Sequence, residues 1–315
     1  MGTLILRRLL AIVPVMLLVS FAVFMLVALI PGDAATTLAG GANATEERIA
    51  EIREEYGFNE PIPVQYWEWL RGALVLDFGN SLIDGRPVME SIGSRFPVTM
   101  TIACVALGLG VVVGSAAGIV SGMRPGSLSD GLAILGASLG MAVPGFWLAM
   151  VLIALFSIEL GWFPPGGFTP LTEDPVEWLR SLVLPSVSLG ALAAATQARQ
   201  LRASLIDVMN SAYVRTAWGK GGTPVRVVGK HALKNAAMPA VTILGLQLGS
   251  LIGGAVIIEQ IFSVPGLGTY LLDAVLALDL PVIQGIVVFF ALIQVILMLL
   301  LDISYGLLNP KVRAS

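Results

Sequence analysis

The sequence predicts an all-α integral membrane protein with six transmembrane helices and both termini in the cytoplasm. Three observations carry this expectation. First, the 315 residues are 56% hydrophobic and only 12% charged, with a mean hydropathy of +0.87, far from the composition of a soluble domain. Second, six stretches, near 9–31, 98–122, 131–158, 182–203, 238–260 and 281–303, are long and apolar enough to span, since about 20 helical residues cross a hydrocarbon core of roughly 30 Å. Third, the basic residues are segregated. Arg7, Arg8, Arg124, Arg199, Arg202, Arg215, Lys220, Arg226, Lys230, Lys234, Lys311 and Arg313 all fall on one side of such a six-span chain. The other side keeps Arg48, Arg53, Arg71, Arg86, Arg95 and Arg180, mostly in one long loop that translocates with little regard to charge. The net charge of −3 therefore says little about partners.

The first stretch, to residue 31, is too long for a cleaved signal peptide, and PGDAATT is a poor small-x-small cleavage site, so a retained helix is expected. Residues 32–97 form the one sizeable outer segment. Thr45 is placed to N-cap TEERIAEIREEYG, with Glu46 and Glu47 at the positive end of the helix and Gly57 as its stop. Tyr66, Trp67 and Trp69 in the next apolar stretch suit the membrane interface. This segment reads equally as an amphipathic cap on the outer leaflet and as a docking surface for an external partner.

In the second span Gly110, Gly114, Gly118 and Gly122 recur every four residues, and Gly245, Gly249 and Gly253 repeat the device in the fifth. This spacing lets helix backbones approach closely, within the chain or against another subunit. The third span holds Gly-Ala-Ser-Leu-Gly at 136–140, formally a hydrolase nucleophile motif. It lies in an uncharged helical run, where Gly136 and Gly140 make another packing pair. The only histidine, His231, falls in a cytoplasmic loop, so nucleophile and base do not meet. The fourth span is the least apolar, with Pro185 inside it and Arg199 and Arg202 at its end.

Glutamines within spans serve most simply as interhelical hydrogen-bonding groups. Gln247 and Glu259 are the candidates for lining or gating a passage, because an intramembrane carboxylate invites a functional reading. The position of Glu259 near the outer end of the fifth span equally fits a half-solvated structural residue. The single cysteine, Cys104, excludes a disulfide within the chain. No metal-ligand spacing and no phosphate-binding G-x-x-x-x-G-K-[ST] loop occurs, so the chain is not expected to bind a metal or hydrolyse ATP alone.

The loop 204–237 is the polar, basic segment of the C-terminal two-thirds. Gly221 and Gly222 interrupt a first short helix. Thr223 and Pro224 then suit the N-cap and first turn of a second, running from Val225 to Ala237. Val225, Val228 and Ala232 are expected on one side, and Arg226, Lys230 and Lys234 form a stripe of three cations. Such a stripe fits attraction to anionic headgroups as well as protein docking.

At this point the residues resemble a known family. YGFNEPIPVQYWEWLRGALVLDFGNSLIDGRPVMESIGSRFPVT, YVRTAWGKGGTPVRVVGKHALKNAAMPAVTILGLQ, VIIEQIFSVPGLGTYLLDAV and DISYGLLNPKVR are similar, in order, to segments of the B-type permease subunit of ABC importers for dipeptides and oligopeptides. That family also includes nickel and glutathione relatives. The resemblance implies the type I ABC importer permease fold, with 1–31 as first transmembrane helix, 32–97 as external segment and 98–310 as a five-helix core. It implies a loop at 204–237 that docks on an ATPase, and places Arg215, Thr216, Ala217, Gly221, Gly222, His231, Leu233, Lys234 and Asn235 in it. Aligning the family's EAA…G…LP consensus on Gly221 puts Arg215, Thr216 and Ala217 at the EAA positions and Lys234 where proline would stand. The implied partners are a second homologous permease, two cytoplasmic ABC ATPases carrying the ATP and Mg, an extracytoplasmic solute-binding protein and the lipid bilayer, with no nucleic acid. The implied activity is ATP-driven peptide import across a bacterial cytoplasmic (inner) membrane, with nickel or glutathione-like solutes as alternative cargo and no bond chemistry by this chain. A secondary transporter would favour inverted repeats and midplane ionisable groups, and neither is clear here.

Overall fold

A computed structural model describes residues 2–28, 35–36, 44–55, 57 and 59–308. Residues 29–34, 37–43, 56 and 58, and the tail with Lys311 and Arg313, lie outside the described residues. The described chain is helical, with an isolated bridge between Asn80 and Pro87, and divides into two compact units, 1–97 with 269–315 and 98–268.

In the first unit, α1 (Gly2–Ala28) packs along α11 (Leu280–Leu308). The segment that follows α1 holds α2 (Glu46–Glu55), whose first turn is capped by Thr45: the Arg48 N–H donates to Thr45 Oγ1 at 3.3 Å. It continues as α3 (Ile62–Leu74), fixed to α1 by aromatic packing. Tyr66 stands edge-on to Phe21 and Phe24 at 5.4 and 5.5 Å, and its hydroxyl shares a 2.9 Å hydrogen bond with Ser20. Trp67 is half exposed beneath the Arg71 guanidinium.

In the second unit, α7 (Pro175–Met209) is the central element. It is packed by α5 (Leu128–Ala142), α6 (Gly145–Leu152) and α9 (Leu233–Ile261). α4 (Val88–Met123) also meets it through the glycine ladder. A Cβ on Gly110 would lie 3.0 Å from Ala193 Cβ, one on Gly114 2.6 Å from the Ala194 carbonyl and one on Gly118 2.8 Å from the Ala198 carbonyl. Gly190 of α7 answers with its Cα pressed toward the Ala106 carbonyl, where a Cβ would come within 2.6 Å. Here the missing side chains permit backbone-to-backbone contact. Gly140 likewise packs on Ala195 and Gly254 of α9 on Leu189, whereas Gly136 and Gly253 face open space.

Three features differ from the sequence expectation. The third span is not one helix: α5 and the segment Gly145–Glu159 are bent by 104° at the break. Pro144 has no N–H to continue the ladder, and it forces Val143 into an extended conformation (φ −84°, ψ 122°). The segment closes with a π-helical stretch, Ile153–Glu159. Second, the basic loop helix and the fifth span are one element. Pro224–Arg226 run through a π turn, Val227–Ala232, directly into α9. That turn shifts the register, so Val227, Val228, Ala232, Ala236 and Ala240 are buried while Val225 is 85% exposed. Third, an additional helix, α10 (Leu267–Ala277), lies between the fifth and sixth stretches. Among the described residues four helices are long and apolar enough to cross a membrane, or five with the bent pair as one crossing, and α1 adds the shorter apolar stretch Leu10–Met25.

Candidate functional site

The basic loop is built from the end of α7, the short α8 (Ala212–Gly219) and the turn leading to α9. α8 ends as glycine chemistry requires. Gly221 takes φ +76°, its N–H donates to the Trp218 carbonyl at 2.9 Å, and the Gly222 N–H donates to the Ala217 carbonyl at 3.2 Å. These two bonds are the Schellman pattern, which satisfies carbonyls that the helix end leaves free. Helix winding resumes after it, with the Val227 N–H donating to the Thr223 carbonyl at 2.9 Å. Beneath the turn, Leu201, Leu205, Val214, Val227, Ala232, Ala236 and Ala240 form one buried cluster, with Ala217 and Leu233 packed against it. Asn235 donates to the Tyr213 hydroxyl at 2.8 Å and ties α9 to α8.

What remains outside is a platform. Arg215, Thr216, Lys220, Gly221, Arg226, Lys230, Lys234 and Asn235 are exposed, and Gly222 and His231 are half-buried. Trp218 and Tyr213 present part of their rings among them. None of these five cations has a carboxylate partner among the described residues. Exposed aromatics among unpaired cations suit contact with a protein partner or with anionic headgroups. No cluster suited to a metal ion occurs among the described residues.

Within the same unit, α9 runs from this platform to a cavity of about 580 Å³ that opens between the Pro144 bend, α7 and α9. Its lining is mostly apolar, with Gln247, Ser188, Thr196 and Ser250 as polar groups. Gln247 Nε2 donates to the Ala193 carbonyl at 3.4 Å, and its buried Oε1 has no hydrogen-bond partner.

Glu259 does not line that cavity and is not half-solvated; it is 0% exposed. Thr99 donates its hydroxyl to Oε1 at 2.6 Å, and the Gly268 N–H donates to Oε2 at 2.7 Å. The Leu267 N–H donates in turn to Thr99 Oγ1 at 2.9 Å. The carboxylate therefore closes the N-terminus of α10 from a neighbouring helix and joins it to α4. Gly266 and Gly268 leave the space it fills, since a Cβ on Gly266 would overlap the carboxyl group. Thr99 could not be found from sequence, because nothing local marks a partner 160 positions away.

Two further polar links escaped the sequence reading. Asp279 is buried in the first unit, accepts from Ser81 Oγ at 2.5 Å and the Leu82 N–H at 3.1 Å, and so anchors the turn 79–87. Asp-Leu-Pro ahead of an apolar run was a readable N-cap signal. In that turn the Arg86 backbone N–H, and secondarily Ser81 and nearby arginines, hold Asp84 below the usual carboxylate range. Replacing Asp279 with alanine removes both acceptors. Limited proteolysis within 79–87 is then expected to accelerate roughly tenfold, as losing paired buried groups costs about 1–3 kcal/mol. The second link is Asp130, which accepts two bonds from Arg202, at 2.7 and 2.9 Å, and others from Ser121 and the Gly126 N–H. It fastens the α4–α5 turn to α7, and Ser127-x-x-Asp130 was its sequence signature.

Comparison with known proteins places this geometry. Residues 110–314 match the family described as the binding-protein-dependent transport system inner membrane component, and residues 1–103 match the N-terminal region of such membrane components. The chain belongs to the binding-protein-dependent transport permease family. A protein of Brucella abortus named for a peptide transport system permease is 41% identical over 99% of each chain. The glutathione transport system permease protein GsiC of Escherichia coli K12 is 39% identical over 98% of each. An inward-facing structure of the MetNI methionine ABC transporter superposes with a TM-score of 0.58 at 18% identity, covering 70% of this chain and 97% of that one; this likeness shows the fold. The chain is thus a multi-pass inner-membrane permease subunit of an ABC importer, and the family implies ATPase and binding-protein partners.

Proposed function

We propose that this permease forms half of an import passage for peptides and converts ATPase closure into alternating access. Six crossings, with both termini in the cytoplasm, complete it: α1, α4, the bent α5–α6 pair, α7, α9 and α11. Residues 1–31 are the first of these, and 98–310 the core. A second, homologous permease supplies the other half, and two ATPases each grip one coupling loop, here 204–237. A solute-binding protein delivers cargo to the outer side, at 32–97 and the loop before α7. Peptide cargo is supported by the naming of the relatives, and the glutathione relative fits the same chemistry because glutathione is a tripeptide.

The observation that carries this reading is one helix. Val227–Ile261 is one helix of 35 residues, about 50 Å at 1.5 Å per residue, that opens with the π turn, passes Pro239 and reaches from the exposed basic platform to the wall of the cavity. A displacement imposed on the platform is therefore delivered to Gln247 and its neighbours as a rigid-body movement. The open face at Gly253 is available to the second permease. Co-purification in mild detergent, with subunits identified by mass spectrometry, tests the assembly. Recovery of a second permease and ATPases, the latter lost when Ala217 and Gly221 carry bulky side chains, is the expected result. A stable complex without any ATPase, under conditions that preserve a known ABC transporter, contradicts it.

A further inference from the structure

The groove between α4, α5 and α7 has no role in the coupling just described, yet it has the layout of an amphiphile site. Its volume is about 160 Å³; Ala117, Ala133, Ile134 and Ala137 give it apolar walls, and Arg199 and Arg202 line it as well. We propose that it binds an anionic phospholipid, with the headgroup phosphate on Arg199 and an acyl chain along the apolar walls.

The position of Arg199 along α7 supports a headgroup contact. Arg180, near the other end of the helix, is held by Glu177 at 2.6 Å and by the Trp162 carbonyl at 2.7 Å. Between Arg180 and Arg199 no residue is charged, and 19 helical steps span about 28 Å, close to the thickness of a hydrocarbon core of roughly 30 Å. The two arginines therefore mark the two borders of the apolar slab, whichever leaflet each faces.

The charge balance in the groove points to an anion. The Arg202 Nε and Nη2 groups both donate to Asp130, so that pair is internally compensated. Arg199 is exposed and has no acidic partner among the described residues. It is a fixed positive charge at headgroup depth, beside a rigid ion pair that keeps the second guanidinium in place. The surroundings fit a lipid rather than a soluble protein. Leu128, Leu132 and Leu135 on α5, and Val120 on α4, the helices that line the groove, also expose apolar side chains, the surface a bilayer solvates. A basic pocket between transmembrane helices at the membrane border is a recognised form of anionic-lipid site.

The test is lipid retention by the full complex in nanodiscs of phosphatidylcholine containing phosphatidylglycerol, read by native mass spectrometry. Arg199→Gln is expected to lower retained phosphatidylglycerol about fivefold, while Arg86→Gln, which removes one outer-loop charge, leaves it unchanged. Ala137→Leu, which fills the groove and keeps the charge, is expected to lower retention as well. Inorganic phosphate should not displace the lipid. Unchanged retention in Arg199→Gln overturns the proposal. Displacement by inorganic phosphate shows a simple anion site and overturns the lipid assignment. Loss of an ATPase subunit from Arg199→Gln with retention intact shows a protein contact and also overturns it. Lipid retention and subunit recovery are separate readouts, so failure here leaves the import reading standing.

Discussion

Substituting valine at Gly221 or Gly222 is expected to stop transport while the protein still inserts. Gly221 sits at φ +76°, where a side chain costs about 1–2 kcal/mol and a β-branched one is a true outlier. At Gly222 the obstacle is contact. A Cβ would lie 2.6 Å from Val227 Cγ2 and 2.9 Å from the Ala217 carbonyl, the acceptor of the Gly222 N–H. Neither glycine lies within a helix that crosses the membrane. Each should instead reopen the turn that sets the angle between α8 and the root of α9. Uptake is expected to fall by about tenfold or more, since 1.4 kcal/mol is a factor of ten, with membrane abundance near that of the unaltered protein. Normal uptake would show that the turn is not part of the coupling, and loss from the membrane would show that it acts through folding.

The second large effect is expected at the buried carboxylate. Glu259→Leu leaves the Thr99 hydroxyl and the Gly268 N–H without an acceptor in a site sealed from water. Each orphaned group costs about 1–3 kcal/mol, so the melting temperature of the purified protein should drop on the order of 5 °C or more. Gly268→Ala reaches the same junction from the other side, because its Cβ would overlap the backbone of Val256 as well as crowd Glu259. Backbone cannot rotate out of the way as a side chain does, so this variant should be lost from the membrane more severely. Thr99→Ala, which removes one donor and keeps the carboxylate bonded to Gly268, should lie between these and the unaltered protein. A melting temperature unmoved by Glu259→Leu would show that the carboxylate does not hold the junction.

How much of this was legible in sequence depends on what each residue faces. Runs such as 281–303 announce themselves because lipid-facing helices must be apolar throughout. The same criterion ranked the fourth stretch last, although α7 is the helix around which the second unit is packed. Its Ser181, Ser186, Ser188 and Gln197 are buried by protein, not by lipid, so small size mattered more than hydropathy. The turn at Gly221 was legible because glycine pairs have few other uses after a short helix. The bend at Pro144 was not, since an unbroken apolar run hid what Val-Pro does to the backbone. Val225 lies on the exposed side, away from Val228 and Ala232, because a π turn that no local residue type announces interrupts the 3.6-residue period. The environment of Glu259 depends on Thr99, far away in sequence, and only the folded chain brings them together.

As proposed above, this permease works only as part of an ATP-driven, binding-protein-dependent importer. The most direct measurement is peptide accumulation in proteoliposomes holding the purified complex, with the solute-binding protein added on the outer-facing side and ATP on the other. Accumulation that needs both, and that disappears in Gly222→Val vesicles, is the predicted result. Accumulation driven by an ion gradient in the absence of ATP and ATPase subunits would contradict it.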